Sequence, residues 1–175
     1  TTNVAVPTGT DGTFTYSLVN VFYQAGPNCA NVISGTAIVT VRPTPTATIS
    51  GDATVCEDDV SPNITFTNPM SDPVTVTYKI DGGANQTVNI GGSTNETVPV
   101  PTGTAGTFVY SLVDVFYQAG PSCANGLAGT ATVNVNPNPT PIITGANNVC
   151  ANVTGELYST PDVVGNTYVW AISGG

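Results

Sequence analysis

A repeat of 94 residues is the feature that most limits what this chain can fold into. The 53 residues from Val4 to Cys56 align without a gap with those from Val98 to Cys150, and 35 of the 53 positions are identical. Chance does not produce such identity over this length, so the chain contains copies of one structural unit. Each unit has the size of a single small domain.

The boundaries of the repeated unit are indicated by segments rich in proline. Proline alternates with other residues at positions 43–45 and again at positions 137–141. Alternating prolines favour a stiff, extended connection between domains. We therefore predict one complete unit at residues 43–136, preceded by the C-terminal part of another unit at residues 1–42. Residues 137–175 are predicted to be the N-terminal part of a further, divergent unit.

Residue usage predicts an all-β fold. Lys, Glu and Leu, which favour helices, together number only eight of the 175 residues. Short stretches of alternating apolar and polar residues are separated by Gly, Pro and Asn, a pattern typical of strands joined by turns. Seven such strands in a unit of this size predict tandem immunoglobulin-like β-sandwich repeats. The predicted strands are residues 46–50, 63–68, 74–80, 86–90, 96–100, 107–117 and 130–136.

The long strand at residues 107–117 resembles the start of strand F in immunoglobulin domains. Tyr110 takes the place of the core cysteine of that strand, and Phe108 takes the place of its tyrosine. The resemblance implies a core held by aromatic packing, with Tyr78 as the aromatic residue of strand C. The alternation breaks after Leu112, where the next residue on the same face is an aspartate, so we expect a β-bulge near Leu112. The alternative is a strand that extends beyond the sheet into a protruding hairpin.

The charged residues argue against several functions. The net charge is −9, the only basic residues are Arg42 and Lys79, and there is no His. Two cations cannot neutralise a phosphate backbone, so nucleic-acid binding is not expected. Catalysis by Ser-His-Asp or Cys-His needs a His, and the eleven acidic residues are scattered over predicted turns, so we expect no enzyme. The chain has no run of 18 apolar residues, so direct membrane insertion is not expected either.

Four cysteines occupy two positions of the repeat. Cys56 and Cys150 are the early cysteines of their units, and Cys29 and Cys123 are the late ones. An even number of cysteines without a Cys-x-x-Cys motif favours disulfides over metal binding. The preferred pair is Cys56–Cys123 within the middle unit. A sandwich that places them at opposite ends would prevent this bond, and the alternative joins a late cysteine to the early cysteine of the preceding unit.

Glu57, Asp58 and Asp59 form an acidic cluster directly after the early cysteine. Ca²⁺ binds several carboxylate and carbonyl oxygens, so this turn is a candidate calcium site, and no other cofactor is expected. The third unit carries Ala, Asn and Val at the equivalent positions, so calcium binding is not a property of every unit. The alternative is a solvated turn.

Two aromatic pairs occupy equivalent positions in the repeat. Phe22 and Tyr23 in the first unit correspond to Phe116 and Tyr117 in the middle unit. Exposed aromatic residues can form a platform for sugars or protein partners. Such residues also pack at domain junctions, which is the interpretation we favour.

Residues 139–175 resemble a known family. They begin with Pro-x-Pro-x-Ile-x-Gly-x-x-x-Val-Cys, continue with Tyr-Ser-Thr-Pro from Tyr158, and end with Tyr-Val-Trp-Ala-Ile-Ser-Gly-Gly from Tyr168. These motifs are similar to the PKD-like and immunoglobulin-like repeats of large Bacteroidetes cell-surface adhesins. Some members of that group are gliding-motility proteins exported by the type IX secretion system. The resemblance implies an extracellular location at the cell surface and modules without catalytic residues.

The resulting hypothesis is a structural or adhesive repeat region of a large secreted cell-surface protein, as a stalk or fibre with a role in adhesion or gliding. The expected partners are neighbouring repeats of the same chain, together with surface glycans or other cell-surface proteins. One alternative is a set of spacer or carbohydrate-binding modules in a secreted multidomain enzyme. Another is the subunit of a self-assembling extracellular filament.

Overall fold

The computed structural model describes residues 1–27 and 29–174, and this part of the chain is all-β, with eleven strands and no helix. All seven predicted strands are present, with ends within two residues of the prediction. The strands are β1 (Gly12–Phe22), β2 (Ala30–Val41), β3 (Thr48–Ser50), β4 (Ala53–Cys56), β5 (Asn63–Thr67), β6 (Val74–Ile80), β7 (Gln86–Ile90), β8 (Asn95–Pro99), β9 (Gly106–Tyr117), β10 (Ala124–Gly126) and β11 (Thr130–Asn136). Within the described residues there is no helix long and apolar enough to cross a membrane.

The middle unit contains two sheets. The larger has the order β4-β11-β9-β6-β7, with β10 paired to the end of β9, and the smaller has the order β3-β5-β8. Neighbouring strands run antiparallel except β4 and β11, which are parallel. Consecutive strands β3 and β4 lie in different sheets, so the chain changes sheet at Gly51. Its φ of 123° is a conformation that side chains rarely adopt, which explains the glycine.

One hydrophobic core joins the two sheets. The fifteen hydrophobic residues that the structure buries all lie between Ala47 and Val135. The ring centre of Phe66 on β5 lies 4.8 Å from that of Tyr78 on β6, and Tyr78 lies 6.1 Å from Tyr110 on β9. Aromatic contacts of this length add to the stabilisation from burial. Aromatic packing therefore links strands of both sheets, as predicted.

Strand β9 contains the predicted bulge. The register of β6 on β9 changes by one residue between Asp114 and Leu112, so Val113 has no partner on β6. Leu112 and Val115 are both buried although they lie three positions apart. A bulge has this effect because one extra residue reverses the alternation of faces. The pairing of β1 with β2 also shifts by one residue, between Leu18 and Asn20, but there the extra residue lies on β2.

Strands β4 and β10 were not predicted. The sequence around β4 is rich in Gly, Asp and Pro, which indicate a turn. The strand forms beside β11 because the Asp52 carboxylate accepts a hydrogen bond from the N–H of Thr132 at 2.6 Å, where the parallel pairing begins. Strand β10 is too short for a periodic pattern and exists only as a continuation of pairing along β9.

The segments on either side of the middle unit expose residues whose equivalents are buried within it. Leu18 is 60 % exposed, whereas its equivalent Leu112 is 7 % exposed. Residues 167–175 are similar to residues 75–83, and in this alignment Trp170 corresponds to Tyr78. Trp170 is 53 % exposed, whereas Tyr78 is 6 % exposed. The hairpin of β1 and β2 forms a sheet of its own, and residues 137–174 contain only an isolated bridge. These exposures are what partial units would show, and the unit boundaries stay a prediction.

Candidate functional site: the linkers at the two ends of the middle unit

The calcium candidates lie on the turn after β4, but their oxygens do not converge on one point. Glu57 Oε1 accepts a hydrogen bond from the N–H of Ala105 at 3.3 Å, and Asp59 Oδ2 accepts one from the N–H of Cys56 at 3.0 Å. Asp58 has a positive φ of 65°, which Asp tolerates in tight turns. Among the residues that the structure describes, no three His, Cys, Asp or Glu side chains form a group able to hold a metal ion. The structure thus does not bring the three candidates together as a site, because two of these carboxylates order the backbone of their own loop.

The structure does not form the predicted Cys56–Cys123 disulfide. All four cysteines are unpaired. Cys56 lies beside the end of β11 that pairs with Gly106, whereas the residue after Cys123 pairs with Phe116. Gly106 and Phe116 lie ten positions apart on β9, which is about 33 Å at the rise of a strand. A disulfide needs Cα atoms within about 7 Å, so this pairing is wrong because the two cysteines lie at opposite ends of the sheet.

Residues 42–45, the incoming linker, are held against the end of β9. Tyr117 Oη donates a hydrogen bond to the carbonyl of Pro43 at 3.0 Å, and Asn125 Nδ2 donates one to the carbonyl of Pro45 at 3.0 Å. The side chain of Pro45 is fully buried. Tyr117 and Asn125 therefore fix the direction in which the chain enters the middle unit, and Tyr117 packs at a junction rather than standing free as a platform.

Arg42 adds a charged clamp to the incoming linker. Its Nη1 donates a hydrogen bond to the carbonyl of Ala119, and its Nη2 lies 2.9 Å from Asp72 Oδ2. The guanidinium stands over the ring of Tyr117, 4.5 Å from its centre. No other ion pair is found within residues 1–27 and 29–174. A planar guanidinium makes all three contacts at once, which a lysine ammonium does less well.

Residues 136–139, the outgoing linker, are held at the opposite end of the middle unit. The N–H of Glu57 donates a hydrogen bond to the carbonyl of Asn136 at 2.8 Å. Asn138 Nδ2 donates one to the carbonyl of Glu57 at 3.0 Å. The turn after Cys56 therefore holds the chain where it leaves the unit. It does so with the backbone N–H and carbonyl of Glu57, whereas the sequence predicted that the carboxylates of this turn would bind a ligand.

The first unit repeats the site that holds the incoming linker. Tyr23 and Asn31 are the equivalents of Tyr117 and Asn125, and together with Cys29 they line an open pocket. In the middle unit the corresponding Tyr and Asn donate their hydrogen bonds to the carbonyls of a proline-rich segment. The pocket therefore has the hydrogen-bonding groups to hold a second linker of the same kind.

Burial determines the ionisation of the buried tyrosines. It raises the pKa of Tyr78 and of Tyr110 above the usual value, and Tyr78 raises the pKa of Tyr110 further. Burial also raises the pKa of Tyr117; the Asp72 carboxylate adds to this, whereas the Arg42 guanidinium lowers it. Tyr117 therefore remains a neutral hydrogen-bond donor to the linker far above neutral pH.

No protein-family model matches the chain, and no curated protein matches it significantly. The two linker sites, which bind peptide backbone, are the candidate functional sites of the middle unit.

Sequence reasoning missed Asn125 and Arg42 as linker ligands. Asn125 had a usable signal, because Asn31 is identical to it in the repeat and each follows the late cysteine of its unit by two positions. Arg42 had none, because its equivalent Asn136 is a different residue type, and only the fold brings Arg42 to Asp72, thirty positions away.

Proposed function

We propose that this chain is a structural and adhesive repeat region of an extracellular cell-surface protein, in which tandem β-sandwich modules form a stalk. The modules act as spacers of fixed length, and neighbouring repeats of the same chain are their first partners. The proposal is supported by the repeat in the sequence and by the two linker sites of the middle unit.

We assign the middle unit to the immunoglobulin-like sandwiches. The order β4-β11-β9-β6-β7 opposite β3-β5-β8 corresponds to strands A′, G, F, C and C′ opposite A, B and E. A first strand that divides between both sheets supports this assignment. The parallel pairing of its second half, β4, with the last strand, β11, supports it too.

The observation that carries the stalk proposal is that the two linkers lie at opposite ends of β9. The incoming linker is bound next to Tyr117, the last residue of β9. The outgoing linker follows Asn136, beside the end of β11 that pairs with Gly106, the first residue of β9. A strand of 12 residues spans about 40 Å. Modules joined in this way extend end to end instead of folding back on one another.

The experiment is to join four copies of residues 43–136 in tandem and image single molecules by electron microscopy. We expect rods that lengthen by about 40 Å for each module. A matched protein with Tyr117→Phe and Asn125→Ala in every copy should show the same modules with a broader distribution of angles between them. Compact particles whose length does not grow with module number would refute the stalk.

The same images distinguish the stalk from a self-assembling filament, because a filament would give particles longer than one chain. A glycan array and intact cells, probed with the same four-module protein, test the adhesive part of the proposal. Binding to cells or glycans would identify the modules themselves as adhesive. A rod that binds neither would restrict them to a spacer.

A further inference from the structure

The positions of the four cysteines relative to the two linkers carry a further inference. Cys56 lies on β4, in register with Asn136, where the outgoing linker begins. Cys123 lies at the other end, two residues before Asn125, which holds the incoming linker through Pro45. The unit thus carries one thiol at each junction with its neighbours and has no partner for either thiol within itself.

The repeat places two thiols at every junction. Asn136 begins the outgoing linker and is equivalent to Arg42, and Pro139 is equivalent to Pro45. An early cysteine therefore flanks the first residue of each linker, and the late cysteine of the next unit flanks the last. A linker of four residues spans at most about 14 Å, whereas about 33 Å of β9 separates the two cysteines of one unit. The short distance is therefore between an early cysteine and the late cysteine of the next unit, and the long distance is between the two cysteines of one unit.

The first unit supports the same arrangement independently. Its late cysteine, Cys29, is exposed and lines the pocket formed with Tyr23 and Asn31. That pocket is equivalent to the place where the middle unit holds its incoming linker. A linker bound there would bring the early cysteine of a preceding unit to Cys29.

We infer that the early cysteine of each unit forms a disulfide with the late cysteine of the following unit, so that every linker of the stalk is closed into a covalent clip. Cys56 would bond the late cysteine of the third unit, and Cys123 the early cysteine of the first unit. Residues 1–175 contain neither of those partners, which agrees with four unpaired cysteines. The inference rests on the tandem arrangement of the proposed function.

The bond forms by thiol–disulfide exchange with a small disulfide oxidant such as oxidised glutathione. One thiolate attacks the oxidant and forms a mixed disulfide, and one glutathione thiol is released. The second cysteine attacks the mixed disulfide, forms the clip and releases the second glutathione thiol. Two cysteine thiols are oxidised and one oxidant disulfide is reduced, so the electrons and protons balance. An oxidising, extracellular location preserves such bonds.

The test uses two copies of residues 43–136 joined directly, so that Asn136 is followed by Pro43 just as the chain follows it with Pro137. The complete buried core lies within these residues, so each copy can fold alone. After oxidation in a glutathione buffer, the number of free thiols should fall from four to two. Peptic peptides analysed without reduction should link Cys56 of the first copy to Cys123 of the second.

A pair of matched variants makes the result specific. Cys56→Ser in the first copy should abolish the linked peptide and leave all three remaining thiols free. The same substitution in the second copy should leave the linked peptide intact. Linked peptides within one copy, or four free thiols in a folded protein, would overturn the inference. If the protein is rod-shaped in the electron microscope but all its thiols remain free, the disulfide between units is rejected and the stalk proposal is retained.

A second protein guards against misfolding of the tandem. The full 175-residue chain is extended after Gly175 with residues 84–136, which completes the third unit at the position given by its similarity to residues 75–83. The expected bond joins Cys56 to the added copy of Cys123. A bond between Cys150 and that added cysteine would instead lie within one unit and would contradict the inference.

Discussion

At the scale of single residues, three aromatic side chains link the two sheets of the middle unit. Phe66, Tyr78 and Tyr110 come from three strands in both sheets and contact one another in sequence. Their packing needs no oxidation, and no disulfide joins the two sheets of the middle unit. The two cysteines of the middle unit lie near its opposite ends.

The buried tyrosines predict a loss of stability at alkaline pH. The raised pKa of Tyr110 means that folding favours its neutral form. The free energy of unfolding should therefore be constant below the ordinary tyrosine pKa of about 10 and fall as the pH rises through the higher folded value. Tyr110→Phe should flatten this fall. Urea unfolding measured from pH 8 to pH 12, in steps of about 0.5 pH units, checks this. Tyr23→Phe, at an exposed position, should leave the profile unchanged, and an identical profile for both variants would contradict the assignment.

Adding one methyl group at Gly92 should lower the stability of the protein strongly. A Cβ at this position would overlap the backbone carbonyl of Ser71, in the neighbouring turn. Gly92→Ala should destabilise the protein by at least about 2 kcal/mol, because backbone on both sides must move. Gly106→Ala is the control, since no atom lies within 4 Å of its added Cβ. Thermal unfolding of the two variants checks this, and equal midpoints would show that the turns are not in contact.

At the scale of elements, the periodic pattern predicted every strand of the middle unit that has five or more residues. Strands β6 and β11 have the predicted bounds, and the bulge in β9 follows from the break in alternation after Leu112. The sequence pattern did not predict β4 and β10, because these strands form only through pairing with β11 and β9. A turn-like composition became a strand at β4 once a neighbour supplied its hydrogen bonds.

Substitution of Asp52 measures how much its hydrogen bond between β4 and β11 contributes to stability. Its carboxylate accepts the hydrogen bond from Thr132 where β4 joins β11. Asp52→Ala should lower the free energy of unfolding by about 1 kcal/mol, because the N–H of Thr132 loses its acceptor. Asp52→Asn keeps a carbonyl oxygen and should cost less than half as much. Urea unfolding measures both, and an alanine variant as stable as the wild type would show that the bond does not support β4.

Arg42 predicts the contribution of the incoming linker to stability. Arg42→Gln removes the ion pair with Asp72 and the contact with Tyr117. We expect a loss of about 1 kcal/mol, a modest value because Asp72 stays partly solvated. Lys79→Gln removes the same charge without an ion pair in the described structure and should change stability by less than about 0.5 kcal/mol. The difference between the two, followed by urea unfolding, should shrink in high salt; a difference that does not depend on salt would exclude the ion pair as its source.

At the scale of the whole molecule, the buried core is confined to residues 43–136. Every buried hydrophobic residue lies between Ala47 and Val135, whereas Val60 is the only large hydrophobic residue of that range found exposed. Exposed apolar residues concentrate instead in residues 1–42 and 137–174. The middle unit therefore has the composition of a self-sufficient domain, and the flanking segments do not.

Residues 43–136 alone are predicted to fold cooperatively. Because the core is complete within them, their free energy of unfolding should lie below that of the main transition of the 175-residue chain by no more than the contribution of Arg42, about 1 kcal/mol. Residues 1–42 prepared separately should show no cooperative transition, since a two-stranded hairpin is at most marginally stable in water. A middle unit that unfolds without cooperativity would place part of its core outside these boundaries.

The repeat, the all-β fold, the long strands and the bulge were all determined by the sequence, because each leaves a local or periodic trace in it. The Cys56–Cys123 pairing failed because which end of a sheet a loop occupies depends on strand order and leaves no such trace. The linker contacts of Arg42 and Asn125 were likewise decided by tertiary structure alone, since they join residues 30 to 80 positions apart. The sequence thus identified two thiols in each unit, and only the register of β4, β9, β10 and β11 showed that they lie at opposite ends of the middle unit.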